Sequence, residues 1–342
     1  MTDMSEDMIQ VLRIRWTYTL TKRYAFLATT DLITKAVDTL ASIYSEFKAR
    51  GLADPGFDSQ LQGEQHNERL GEMLLFHYLN RNGFDLTSAP DGPDFVAERC
   101  GTVVYFELIT PGTGPHDTLG NMDAQRDRLH PDPQSNRERS REALLRVTGA
   151  FTAKANQYRD WLDKAVIKPA NARVVVINDA QLCPDSMFYG MTHALDCGPS
   201  GCPMIVEALL GEGTPYFTPP EMPGAYKINR TFRTHVLKPS NRANIGTTYF
   251  YDPHFSHVSA TLQLTLREDY ALGLELASYA MAKPGSESIA SQYLPKGVLV
   301  CNPIATTPLS AHIPDANHWV VEPPAATEDF SESLPPEASN PT

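Results

Sequence analysis

Apolar residues recur at two spacings along this chain, and the switches between them mark its elements. Across residues 31–50, Leu32, Ala36, Leu40, Ile43 and Phe47 fall three or four positions apart. That spacing places them on one face of a helix, with Asp31 at its N-cap. Residues 51–59 are turn-rich and read as a loop. A second helix is expected over residues 62–82, closed by Gly83, since glycine tolerates the left-handed turn that ends helices. Residues 11–20 alternate in part and predict a strand or an extended arm.

Residues 94–98 and 103–110 then read as two strands joined by the turn Arg99-Cys100-Gly101-Thr102. A long loop over residues 112–138 follows, and a helix opens at Glu138 or Ser140 and runs to Ala165. Residues 173–178 hold an unbroken apolar run bounded by turn residues, the mark of a strand covered on both faces. Residues 247–251 and 257–264 read as further strands, and residues 298–300 as a strand ending at Asn302-Pro303. The pattern predicts an α/β fold with a mixed central sheet flanked by helices and a large C-terminal α+β extension. Four regions are expected: an N-terminal region at 1–60, a core at 61–180, an extension packed on it at 181–320, and a disordered acidic tail at 321–342.

Charge narrows the function. The net charge is -12, of which the tail holds -5 through Glu322, Glu328, Asp329, Glu332 and Glu337, leaving -7 on the body. That balance argues against broad, non-specific nucleic-acid binding, which needs clustered cations, but it leaves room for a local basic groove. The five cysteines are odd in number and form no C-x-x-C pair, which predicts a reduced, cytoplasmic protein. The acidic start is unlike a signal peptide, and no apolar run reaches membrane-spanning length, so no membrane partner is expected.

The chemistry concentrates around Gly92-Pro93-Asp94-Phe95 and the following strand Val103-Val104-Tyr105-Phe106-Glu107-Leu108-Ile109. Strand periodicity puts Val103, Tyr105, Glu107 and Ile109 on one face, so Glu107 sits among apolar neighbours. A carboxylate buried there costs several kcal/mol unless something positive compensates it, and a divalent cation is one such partner. Glu72, on the preceding helix, supplies a third acid; Glu68 lies one turn away and competes for the same role. A purely structural account remains open for each: Glu72 as a solvated helix acid, Asp94 as a turn cap, Glu107 as the partner of Arg146 or Lys154.

The order helical Glu72, Gly83-Phe84, Pro93-Asp94, Glu107-Leu108-Ile109, helix, strand resembles the PD-(D/E)xK nuclease superfamily over residues 62–180. The resemblance implies a restriction-endonuclease-like core, with Asp94, Glu107 and Glu72 holding Mg²⁺ or Mn²⁺, and hydrolysis of DNA or RNA phosphodiesters. The chain departs from that pattern at Ile109, where the superfamily carries Lys. Some members relocate this Lys to the next helix. Here Arg146, Ala150, Lys154 and Gln157 share a helical face, which makes Lys154 the candidate cation and Gln157 a polar neighbour beside Tyr158. The alternative is an inactive nuclease-fold protein that binds nucleic acid or a protein partner through the same cleft.

Other clusters carry weaker signals. Arg126, Arg128, Arg137, Arg139 and Arg141 suggest a phosphate-contacting loop, but Asp123, Asp127, Asp132, Glu138 and Glu142 interleave and nearly cancel their charge. His254 and His257 lack a matching ligand pair, and Cys197 and Cys202 are too loosely spaced for a zinc site.

Overall fold

The computed structural model describes residues 4–28, 30–89, 91–112, 133–182, 203–218, 227–238, 241–285 and 287–319. Four helices come first: α1 (Met4–Arg23), α2 (Leu32–Ala49), α3 (Phe57–Gln62) and α4 (His66–Arg81). The hairpin-like run β1 (Asp85–Thr87), β2 (Phe95–Arg99) and β3 (Thr102–Ile109) leads through α5 (Pro133–Asp163) to β4 (Ala172–Asn178). After α6 (Met204–Leu210) come two small pairs, β5 (Glu212–Thr218) with β6 (Lys227–Phe232) and β7 (His235–Leu237) with β8 (Asn244–Gly246). The chain then adds β9 (Ala260–Leu264), α7 (Asp269–Met281), α8 (Glu287–Tyr293), β10 (Gly297–Cys301) and β11 (Ala316–Trp319).

One sheet of seven strands organises these elements, in the order β1-β2-β3-β4-β9-β10-β11. β3, β4 and β9 run parallel at its centre, while β1, β2 and β10 pair antiparallel with their inner neighbours. The centre is apolar on both faces, as a strand sandwiched between helix layers must be. Val104, Phe106, Val174, Val176 and Leu262 pack with α1, α2, α4 and α7. Their alternates Tyr105, Val175 and Ile177 pack with α5 and α6. The mixed sheet flanked by helices is therefore as the residue pattern predicts, and residues 260–319 extend that same sheet rather than forming one of their own.

Several elements differ from expectation. Residues 11–20 are helical, because Met8, Leu12, Trp16 and Leu20, spaced four apart, are buried; the alternation of Arg and Thr between them concerns exposed and half-buried positions. The helix predicted over 62–82 is α4, which starts later, at His66, and a separate short helix, α3, begins within the expected loop. Asp31 makes no side-chain capping bond; its carboxylate pairs with Lys35 at 2.6 Å instead. Tyr249–Tyr251 is a 3-10 turn, not a strand, and its Tyr249 and Phe250 rings pack tilted and edge-on against Phe151 of α5. The helix α5 starts at Pro133, several residues early. Arg126, Arg128, Cys197, Cys202 and the tail from residue 321 lie outside the described residues.

Candidate functional site

The register of β2 against β3 brings the first two acids together. Phe95 pairs with Phe106, so the next step outward sets Asp94 beside Glu107. The backbone N–H of Asp94 donates to Glu107 Oε2 at 3.0 Å, and the N–H of Leu108 donates to Asp94 Oδ2 at 2.7 Å. Each carboxylate is thus held by the other's strand. Glu107 is buried, 3% exposed, on the face of β3 that meets α5.

From α5, Lys154 reaches across to this pair. Its ammonium lies 2.5 Å from Glu107 Oε1 and 3.1 Å from Gln157 Oε1. Ile109, two positions beyond Glu107 on the same strand, packs with the apolar cluster under α5. The helix therefore delivers a cation that the strand does not. Arg146 turns to Glu142 at 2.9 Å, so the ion pair of Glu107 is with Lys154. Tyr158 faces the sheet rather than the cleft: its hydroxyl lies 3.0 Å from the carbonyls of Tyr105 and Val174.

Glu72 approaches from the other helix layer. Gly71 makes this approach possible. A Cβ at that position would come 2.9 Å from Asn178 Nδ2 and 3.3 Å from Thr110 Oγ1, so α4 lies directly against the ends of β3 and β4. Glu72 is half-buried, whereas Glu68 is exposed, which decides between the two in favour of Glu72. Glu72 Oε2 accepts from Arg69 at 2.7 Å, and Arg69 also reaches Asp54 at 3.0 Å and Gln60. Arg69 is the site residue that the sequence pattern did not single out. Its three-residue spacing from Glu72 was the available signal.

The electrostatics set this cluster apart. Burial and the neighbouring Asp94 charge push the Glu72 carboxyl up to about 7, against the pull of Arg69. Burial and Asp94 likewise raise Glu107, with Lys154 only partly offsetting them. Burial raises Asp94 too, opposed by the Leu108 N–H, Lys154 and Arg69. Two cations thus serve three crowded acids and leave them short of positive charge. Asp94 and Glu107, with hard carboxylate oxygens, are the residues that could hold a divalent cation here. Among the described residues, however, no three His, Cys, Asp or Glu side chains stand close enough to hold one ion together. Glu72, bound to Arg69, would join such an ion through water or after exchanging partners.

The remaining candidates are structural. His257 Nε2 bonds the carbonyl of Ala155 at 2.7 Å, and His254 bonds Arg159. Arg141 is an exposed residue of α5. Comparison of the chain with family models, with curated proteins and with solved structures finds no match.

Proposed function

We propose that this cleft hydrolyses phosphodiester bonds in DNA or RNA with Mg²⁺ or Mn²⁺, on a restriction-endonuclease-like core. The observation that carries this reading is Lys154: a cation from the crossover helix lies against Glu107, beside Asp94, where the strand itself has Ile109. Asp94 and Glu107 would hold the ion, with Glu72 at its outer side. Bound there, the ion would supply a Lewis acid at the scissile phosphate and a source of hydroxide near neutral pH. Gln157 fixes the Lys154 ammonium from behind. Lys154 then stands ready to stabilise negative charge that develops on a phosphate oxygen in the transition state. Arg69 offsets part of the cost of burial at Glu72 and at Asp94, pulling the carboxyl of each downward.

The reading is tested with purified protein on labelled single- and double-stranded DNA and RNA. Cleavage should require Mg²⁺ or Mn²⁺ and stop with chelator. Asp94→Ala and Glu107→Ala should each abolish it. Metal-independent cleavage would refute the mechanism. A metal-dependent thermal shift without cleavage would favour the second reading, a binding protein whose chemistry was lost with the strand Lys at position 109.

A further inference from the structure

Arg69 is gripped from two sides. On one, its Nη1 donates to Glu72 Oε2 at 2.7 Å. On the other, Nη2 lies 3.0 Å from Asp54 Oδ2, Nε donates to Gln60 Oε1, and the guanidinium carbon sits 5.7 Å from the centre of the Phe57 ring. Asp54, Phe57 and Gln60 all come from α3 and the turn that leads into it. This seat has supports of its own. Asp54 Oδ1 accepts from the Gly56 N–H at 2.9 Å, which leaves Oδ2 for Arg69, and the Phe57 ring is fully buried.

The two sides differ in what they could let go. Glu72 is one of three crowded acids, and the Asp94 charge is felt at both Glu72 and Arg69. If Glu72 left, the guanidinium would keep a carboxylate, an amide oxygen and an aromatic face. A charge drawn out of water is costly to leave without a counter-charge, and Asp54 supplies one. Glu72 can therefore change partner with the loss of a single charge-assisted hydrogen bond. We propose that Arg69 is a positioning residue that competes with a divalent cation for Glu72, and that Asp54, Phe57 and Gln60 form the seat that retains Arg69 once Glu72 has exchanged it for the ion. The inference rests on the metal-binding reading of the cleft and makes its third acid conditional. Before the exchange, Asp94 and Glu107 alone would hold an ion. Glu72 joins them only when the ion outcompetes a guanidinium. One cation replaces another at the same carboxylate, and no proton or covalent bond is transferred.

Titration calorimetry of Mn²⁺ into the full chain, at one fixed pH and without nucleic acid, tests this. Arg69→Met keeps a stem over Phe57 but removes every donor. It should tighten Mn²⁺ by about tenfold or more, the equivalent of one hydrogen bond between charged groups. Asp54→Ala should weaken Mn²⁺ instead, because Arg69 then has Glu72 as its only bonded acid. Charge changes also act through space, so two double variants isolate the exchange. In a Glu72→Gln chain, Arg69→Met should lose most of its gain. In an Arg69→Met chain, Asp54→Ala should change Mn²⁺ affinity little. A gain undiminished by Glu72→Gln, or an Asp54→Ala loss that persists beside Arg69→Met, would be a field effect and would overturn the proposal. If Arg69→Met fails to fold by its far-UV spectrum, the single Asp54→Ala variant decides, and unchanged or tighter binding overturns the exchange. Mn²⁺ binding that none of these variants alters removes the exchange but keeps the metal site. No Mn²⁺ binding by the wild type or any variant removes both.

Discussion

Among the described residues, the acids of the cleft and those at the start of α7 are treated in opposite ways. At the cleft, Glu72, Asp94 and Glu107 are all pushed upward, because burial and mutual repulsion outweigh Arg69 and Lys154. At the junction of β9, α7 and the end of α1, Glu268 and Asp269 are both buried, more deeply than half-buried Glu72, yet both are held below the usual carboxylate range. Burial works against ionisation there too. It is overcome by Arg267, which reaches both oxygens of Asp269 at 2.8 and 2.9 Å, by Arg23 at 3.6 Å, and by the Tyr24 hydroxyl. Glu268 is held by His66 at 3.3 Å and by Arg23. Asp269 also opens α7, where the helix N-terminus favours an acid. The network at α7 is internally compensated and needs nothing from outside. The cleft is left short of positive charge, the condition in which acids are found where chemistry occurs.

This contrast can be broken most directly at Asp269. Replacing it by Ala takes from buried Arg267 and the Tyr24 hydroxyl the carboxylate they share, and breaking such a buried pair costs about 3–5 kcal/mol. Denaturant unfolding of Asp269→Ala should show it, and a cost below about 1 kcal/mol would mean that the two clusters are not different in kind.

Next in size is Lys154→Ala. If the cleft cleaves nucleic acid, the change should lower the rate by about a hundredfold, typical for one electrostatic group at a transition state, with metal affinity nearly kept. Adding Lys at position 109 to the wild-type chain should then bring no gain. Undiminished cleavage by Lys154→Ala would show that the ammonium only pairs with Glu107.

The pH dependence separates the clusters by sign. Glu72 keeps its proton in the folded chain up to about 7, while its ordinary value is 4.5. Its contribution to stability is therefore full below 4.5 and is lost as pH rises through 7. Glu72→Gln cannot ionise and escapes that loss. Between about pH 5 and pH 8 the variant should gain on the wild type by on the order of 2 kcal/mol. Saturating Mg²⁺ should shrink this gain by stabilising the ionised wild type. Asp269 runs the other way: with its pKa depressed, its contribution is present above the usual carboxylate value and is lost as pH falls. Parallel urea titrations of the two proteins across this range check the slope, and an equal slope would remove the electrostatic case for the cleft.

The smallest effect is geometric. Gly71→Ala adds a Cβ 2.9 Å from the Asn178 amide, so α4 must lift or Asn178 must yield. A loss of about 1–3 kcal/mol is expected, as for other overpacked contacts. If the cleft binds Mg²⁺, its affinity should fall too, because α4 carries Glu72. Stability lost without any change in metal affinity would separate Glu72 from the site.

Much of this was legible from residue order alone. The short turn at Cys100 and Gly101 commits β2 and β3 to pair as neighbours, and pairing them sets Asp94 beside Glu107 whatever the rest of the chain does. The apolar run at 174–177 could only be a strand covered on both faces. Those features follow from local periodicity and tight turns, which act over a few residues. Other features depend on contacts between distant segments. The helical state of residues 11–20 was decided by the burial of Trp16 and Leu20 against the helix layer. Which face of the long α5 turns to the strand selected Lys154 over Arg146 as the partner of Glu107. Gly71 seats α4 on Asn178, a residue more than a hundred positions later, and so carries Glu72 and Arg69 to the cleft. The ionisation of each acid was left to the tertiary structure altogether, because a carboxylate's pKa depends on the water removed and the charges brought near, and the chain acquires both only when it is folded.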